Sequence, residues 1–224
     1  MMGAAELDAV RLSLWVATLG AALGLVPAVG LGYLLCRARF RGKSVLSVVL
    51  FLPLVMPPVV TGLLLLRVFG RRGLLGGALE AIGVQVPFTL VGAVLAALTV
   101  GLPLYVIAAR SAFDAVDRRY EEVARSLGLS AWRVFVRVTL PLALPGLAAG
   151  AVLAFARALG EFGATAIVAG DVPGRTRTIA LAVYALLGSP DGEDAAMRLG
   201  LASVVMSLLA LGAHELLLDR KSVV

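Results

Sequence analysis

Residues 12–35, 45–66, 88–109, 140–169 and 195–218 are almost unbroken runs of apolar side chains. A helix crosses the hydrocarbon core of a bilayer with about 20 such residues, and in lipid every backbone N–H and C=O must be paired within the protein. The chain is therefore expected to be an all-α integral membrane protein, a polytopic bundle of about five transmembrane helices. Composition agrees, since 60% hydrophobic and only 15% charged residues in 224 exceed what one soluble core of that length can hide. One domain, residues 1–224, is expected from the length. Glu6 and Asp8 stand where a cleavable leader would be basic, so the first run is expected to be kept as a span. A sixth stretch, residues 178–188, is too short to cross and lies between GRTR and SPDGED; it reads as a short helix at or near the interface.

Lys and Arg give the sidedness. Arg37, Arg39, Arg41 and Lys43 follow the first run, Arg110, Arg118, Arg119, Arg125, Arg133 and Arg137 follow the third, and Arg220 and Lys221 follow the fifth. These twelve face six on the other side: Arg11, Arg71, Arg72, Arg175, Arg177 and Arg198. The positive-inside rule makes the larger set cytoplasmic, with the N-terminus outside and the C-terminus inside. Most of the net charge of +6 is thus an orientation signal rather than a nucleic-acid footprint.

The spans are not plain anchors. Pro53, Pro57 and Pro58 interrupt the second, and a proline breaks the helical hydrogen-bond ladder. Such breaks survive at membrane depth only where protein or a water-filled cavity satisfies the freed groups. Gly20 and Gly24 in GxxxG spacing, Pro27, Gly30 and Gly32 in the first span, and Gly101 and Pro103 in the third, favour close packing of interrupted helices. That is the architecture of a transporter or channel.

Residues 110–139, the most polar stretch, form the loop between the third and fourth spans. Asp117 is a plausible N-cap, Tyr120, Val123, Ala124 and Leu127 fall on one helical stripe, and Gly128 can end the helix in the left-handed conformation. Ser130 can cap a second helix carrying Trp132, Phe135 and Val136 that runs to Leu140 and Pro141. By itself the segment resembles a helix-turn-helix, but it is too tethered to the membrane to enter a DNA groove, and no nucleic-acid partner is expected. A rigid knob offering an apolar stripe and charges to a cytoplasmic partner accounts for it better than a structural loop does.

The order Glu122, Ala124, Gly128, Val138, Leu140, Pro141 resembles the EAA motif of ABC-importer permeases, with Val123 and Val138 departing conservatively from its Ala and Ile. The resemblance implies that these residues form the coupling helix seated in a cleft of a separate cytoplasmic ABC ATPase subunit, present in two copies. The chain has no phosphate loop of its own, so it is not expected to bind or hydrolyse ATP. The stretches AFARALGEFGATAIVAG, FLPLVMPPVVTGLLLL and FGRRGLLG make the chain similar to the molybdate branch of these permeases, while GEFGA is shared with tungstate and sulfate permeases. Membership implies a bacterial or archaeal inner-membrane protein, paired with a second copy of itself and served by an extracytoplasmic oxyanion-binding protein.

Arg157 and Glu161 stand four apart near the outer half of the fourth span, flanked by Gly160, Phe162 and Gly163. They are either a self-neutralising structural pair or part of the pathway and its gate, and a helix break at the glycines would let backbone N–H groups face an anion. His214 has no second ligand at metal spacing, Cys36 reads as a small packing residue, and Arg67 as a residue snorkelling to the interface. No catalytic residue, metal site or cofactor is expected. The alternative class, an ATP-independent channel or secondary carrier, would call for coupling-ion ligands or an inverted repeat, and neither is read in the chain.

Overall fold

The computed structural model describes residues 2–219, and among them the regular elements are helices without strands. The first apolar run lies in α1, Ala4–Arg37, which begins well before the expected boundary because Glu6 folds back to accept the Gly3 amide and so caps the extra turns. At 34 residues it is roughly 50 Å long, more than the hydrocarbon core needs. Arg198 of the last helix donates to Glu6 at 2.7 Å and ties the two together there.

The second run is not one straight span. It divides into α2, Lys43–Val55, and α3, Pro58–Phe69, bent by 116° at Met56 and Pro57. Pro57 and Pro58 have no N–H to continue the ladder, while Pro58 is well suited to open a new helix. Among the described residues, counting the bent pair as one span gives up to five, with four unbroken helices long and apolar enough to cross.

A small helix, α4 (Gly76–Ala81), leads to α5, Leu90–Asp114, the most buried of the long helices. Thr89 opens α5 by accepting the Gly92 amide at 3.4 Å. Its neighbours approach closely because of the glycines. A Cβ on Gly32 of α1 would lie 2.7 Å from Ala109 Cβ, and one on Gly24 3.0 Å from Leu98 Cδ1. Gly30 faces open space, so it is not part of that contact. Lipid offers no hydrophobic drive for helices to associate, so this backbone proximity and its dispersion energy hold the bundle.

The knob is α6, Arg118–Ser126, followed by α7, Ala131–Val134. The second helix of the knob reaches Leu140 and Pro141 as expected, but it does not end there. It runs through a π-helical turn, Phe135–Thr139, straight into α8, Leu140–Leu159. Pro141 has no N–H for the preceding turn, and the helix widens there, with the Leu140 N–H reaching Phe135 O.

The fourth run is shorter than the expected residues 140–169. α8 ends at Leu159, the chain breaks over residues 160–162, and a six-residue helix, α9 (Gly163–Val168), follows. α9 lies parallel to α3, their N-termini side by side: a Cβ on Gly163 would meet Pro58 Cβ at 2.9 Å, and one on Gly62 would meet Ala164 O at 2.9 Å. The two interrupted spans thus pack break against break. The short stretch at residues 178–188 is helical, as α10, Ile179–Leu187, and its first amide donates to Ser13 Oγ of α1 at 2.8 Å. The last helix, α11 (Glu193–Asp219), packs on α8 and α10, and the expected basic tail residues Arg220 and Lys221 lie outside the described residues.

Candidate functional site

The knob is set by local chemistry. Asp117 accepts the Arg119 amide at 2.9 Å and starts α6. Gly128, at φ +83°, ends it in a Schellman arrangement, with the Gly128 N–H bonded to Arg125 O and the Leu129 N–H to Ala124 O. Of the apolar stripe only Ala124 turns inward; Tyr120, Val123 and Leu127 are exposed, Leu127 by 78%. Trp132, 71% exposed, stacks on Phe135 at 5.7 Å and extends the same apolar surface. Glu122 is exposed, Val138 and Leu140 are half-buried at the root, and Pro141 faces outward. Leu140 packs with Phe113, Val116 and Leu147, anchoring the root in the bundle.

Sequence reasoning passed over the charge that holds the knob. Glu121, not Glu122, is buried, at 4% exposure. Its Oε1 accepts from Arg37 Nε at 3.1 Å and from Thr139 Oγ1 at 3.1 Å, with Arg37 Nη2 2.9 Å away. Arg37 Nη2 also donates to Val116 O at 2.9 Å. One guanidinium therefore joins the end of α1, the turn after α5 and the inner face of α6. The signal in the sequence was slight: Glu121 precedes the inward Ala124 by three residues and so shares its face.

The other candidate residues gather at the break between α8 and α9. Glu161 does not continue the helical face of Arg157, because α8 has already ended; the pair still forms, Arg157 Nη1 to Glu161 Oε2 at 3.2 Å. Glu161 is 3% exposed, and its other oxygen accepts the Ala164 amide at 2.9 Å. That amide, at the start of α9, is therefore taken by the protein's own carboxylate and is not free to face an anion. Gly160 is exposed in the break, Gly163 is pressed against α3, and Phe162 packs on Tyr184 of α10 with ring centres 5.1 Å apart.

At the end of α5 away from the knob, a crevice of about 380 Å³ is lined by Phe69, Arg71, Glu80, Gln85, Phe88 and Arg175 among others. Phe88 holds a left-handed φ of 57°, its N–H bonded to Val168 O at 3.0 Å. Among the described residues no group of three metal-ligating side chains comes together. His214 Nδ1 lies 2.9 Å from Ala149 O, and Cys36 donates to Asp114.

Residues 20–222 match the family described as binding-protein-dependent transport system inner membrane component. The chain belongs to this family. Among relatives of this inner membrane component, the molybdenum transport system permease protein ModB of Escherichia coli (strain K12) is 47% identical over 211 residues, covering 94% of this chain and 92% of that protein. The protein of the same name in Haemophilus influenzae is 44% identical over 216 residues, 96% of this chain and 94% of that one. Solved permease folds superpose at lower identity. A bacterial ABC transporter for import of the acidic polysaccharide alginate gives a TM-score of 0.72 at 17% identity, covering 97% of this chain and 80% of that one. The inward-facing MetNI methionine ABC transporter gives 0.68 at 14%, covering 94% and 95%. These likenesses establish the permease fold.

Proposed function

We propose that residues 1–224 form a single permease domain of an ATP-driven ABC importer for molybdate. Two copies would line the path, each with its coupling loop, residues 110–139, in one of two cytoplasmic ATPase subunits, and an extracytoplasmic binding protein would deliver the oxyanion. The observation that carries the coupling role is the exposed apolar face of the knob, Val123, Leu127 and Trp132 held beside Arg125 and Arg133 on a fixed two-helix frame. Exposed apolar surface rimmed by charge marks a protein interface. Glu122, Ala124, Gly128, Val138, Leu140 and Pro141 supply its shape and root. The substrate is supported by the ModB relatives.

With the N-terminus outside and the C-terminus cytoplasmic, the crevice beside Phe88 and Arg175 lies at the end that meets the binding protein. Arg157, Gly160, Glu161, Phe162 and Gly163 lie at the junction of the two broken spans, where a gate can form without breaking a continuous helix. Few charges are expected along the path, which suits release of a dianion. Vesicles carrying the chain with its ATPase and binding protein test this directly. ATP-dependent accumulation of labelled molybdate is expected; preference for tungstate or sulfate would change the substrate, and uptake independent of the ATPase would make the chain a channel or carrier.

A further inference from the structure

We infer that Arg37, Glu121 and Thr139 form the strut that carries movement of the knob into the bundle, so that Arg37 and Glu121 are positioning residues for transport rather than docking residues. The inference rests on the knob being the element that meets the ATPase. A coupling element does nothing unless its displacement is passed on, and the exposed face of α6 does not touch the spans. The inner face does. Glu121 Oε1 takes donors from the last residue of α1 and from the π turn that roots α8, Arg37 on one side and Thr139 on the other.

The same arginine fixes the turn after α5 through Val116 O. Three spans therefore converge on one ion pair, α1 and α8 at the Glu121 carboxylate and α5 at the Arg37 guanidinium. Charge-assisted hydrogen bonds are directional and resist both push and pull, whereas apolar surfaces slide. Arg37 and Glu121 have 10% and 6% of their side-chain surface exposed, so water does not screen the pair. Arg125, 3.7 Å from Oε2 and 55% exposed, adds little. Beneath the pair, Tyr33 of α1 packs edge-on against both Phe113 of α5, at 5.4 Å, and Phe135 of the π turn, at 4.8 Å. The aromatic wedge fills the space around which the polar link pivots. A π turn is a compliant point in a helix, and Thr139 pins that one to Glu121.

The test uses the full complex of permease, ATPase and binding protein in vesicles, comparing Glu121→Gln, Arg37→Gln and Arg37→Lys with the unaltered chain. Two quantities are read: molybdate taken up per ATP hydrolysed, and ATPase retained per permease. We expect Glu121→Gln and Arg37→Gln to keep the ATPase bound and hydrolysing while uptake per ATP falls about fivefold or more, the scale of ordinary coupling between sites. Arg37→Lys, which keeps the charge, recovers part of the loss. An unchanged ratio, with uptake following only the amount of assembled complex, overturns the strut, as does loss of the bound ATPase in Glu121→Gln. Leu127→Asp, on the outer face, separates the two ideas: it should release the ATPase, and if it does not, the docking assignment fails and the strut with it, whereas an unchanged uptake per ATP with the ATPase retained in Glu121→Gln overturns the strut alone.

Discussion

Glu161 has two oxygens and two tasks, one on Arg157 and one on the Ala164 amide. Replacing Arg157 by Ala leaves a carboxylate that is 3% exposed without its counter-charge, opposed to an incoming dianion. Uptake per assembled complex is expected to fall about tenfold, the effect of roughly 1.4 kcal/mol on a barrier. Arg157→Ala combined with Glu161→Ala should recover part of that, since both the unpaired charge and the repulsion are gone. Equal per-complex rates in the two singles and the double would remove the pair from the gate. Single residues also show how far sequence reading reaches. Asp117 and Gly128 were legible because a cap acts on amides within a few residues of itself. Glu121 was not, because its decisive partner, Arg37, stands 84 positions away.

Helices meet here through glycines whose roles differ by position. Gly62 faces Ala164 O at a distance that leaves no room for a methyl group, and that backbone belongs to α9, which cannot retreat without moving the break. Gly62→Ala is expected to cost about 1–3 kcal/mol through overpacking, while Gly30→Ala, with open space before it, should be neutral or slightly stabilising by helix propensity. Unfolding of the purified chain in detergent, titrated with denaturing surfactant, distinguishes them. A Gly62→Ala midpoint equal to that of Gly30→Ala would mean that α3 and α9 do not pack as described. Prolines announced that the second span was interrupted. The size of its bend was not legible, since α9 determines where α3 can lie and α9 was itself hidden within one long apolar run. Apolar composition is the same for a straight helix and for two short ones separated by three residues.

The arrangement of charge predicts the orientation of the whole molecule. In a Cys36→Ala background, a cysteine placed at Gly3 should react with a membrane-impermeant maleimide from outside intact cells, and one placed at Ser126 of the exposed knob only after the membrane is opened. The reverse pattern would invert the orientation. The count of about five spans and the position of the knob between the third and fourth were legible from hydropathy and charge, because the bilayer allows so few solutions. The crevice around Phe88 was not, since it is assembled from the ends of α3 and α5 and the loop carrying Arg175.

The pairing of α3 with α9 also imposes an order on synthesis. α2 and α3, at 13 and 12 residues, are each too short to cross the hydrocarbon alone. When the ribosome has made only the first half of the chain, the surface that receives α3 does not yet exist, for α9 emerges much later. The prolines break the helix at Pro57 from the start, whereas the packing of α3 on α9 can form only once residues 163–168 have been made, so a nascent chain halted before residue 160 should have the break but not that packing.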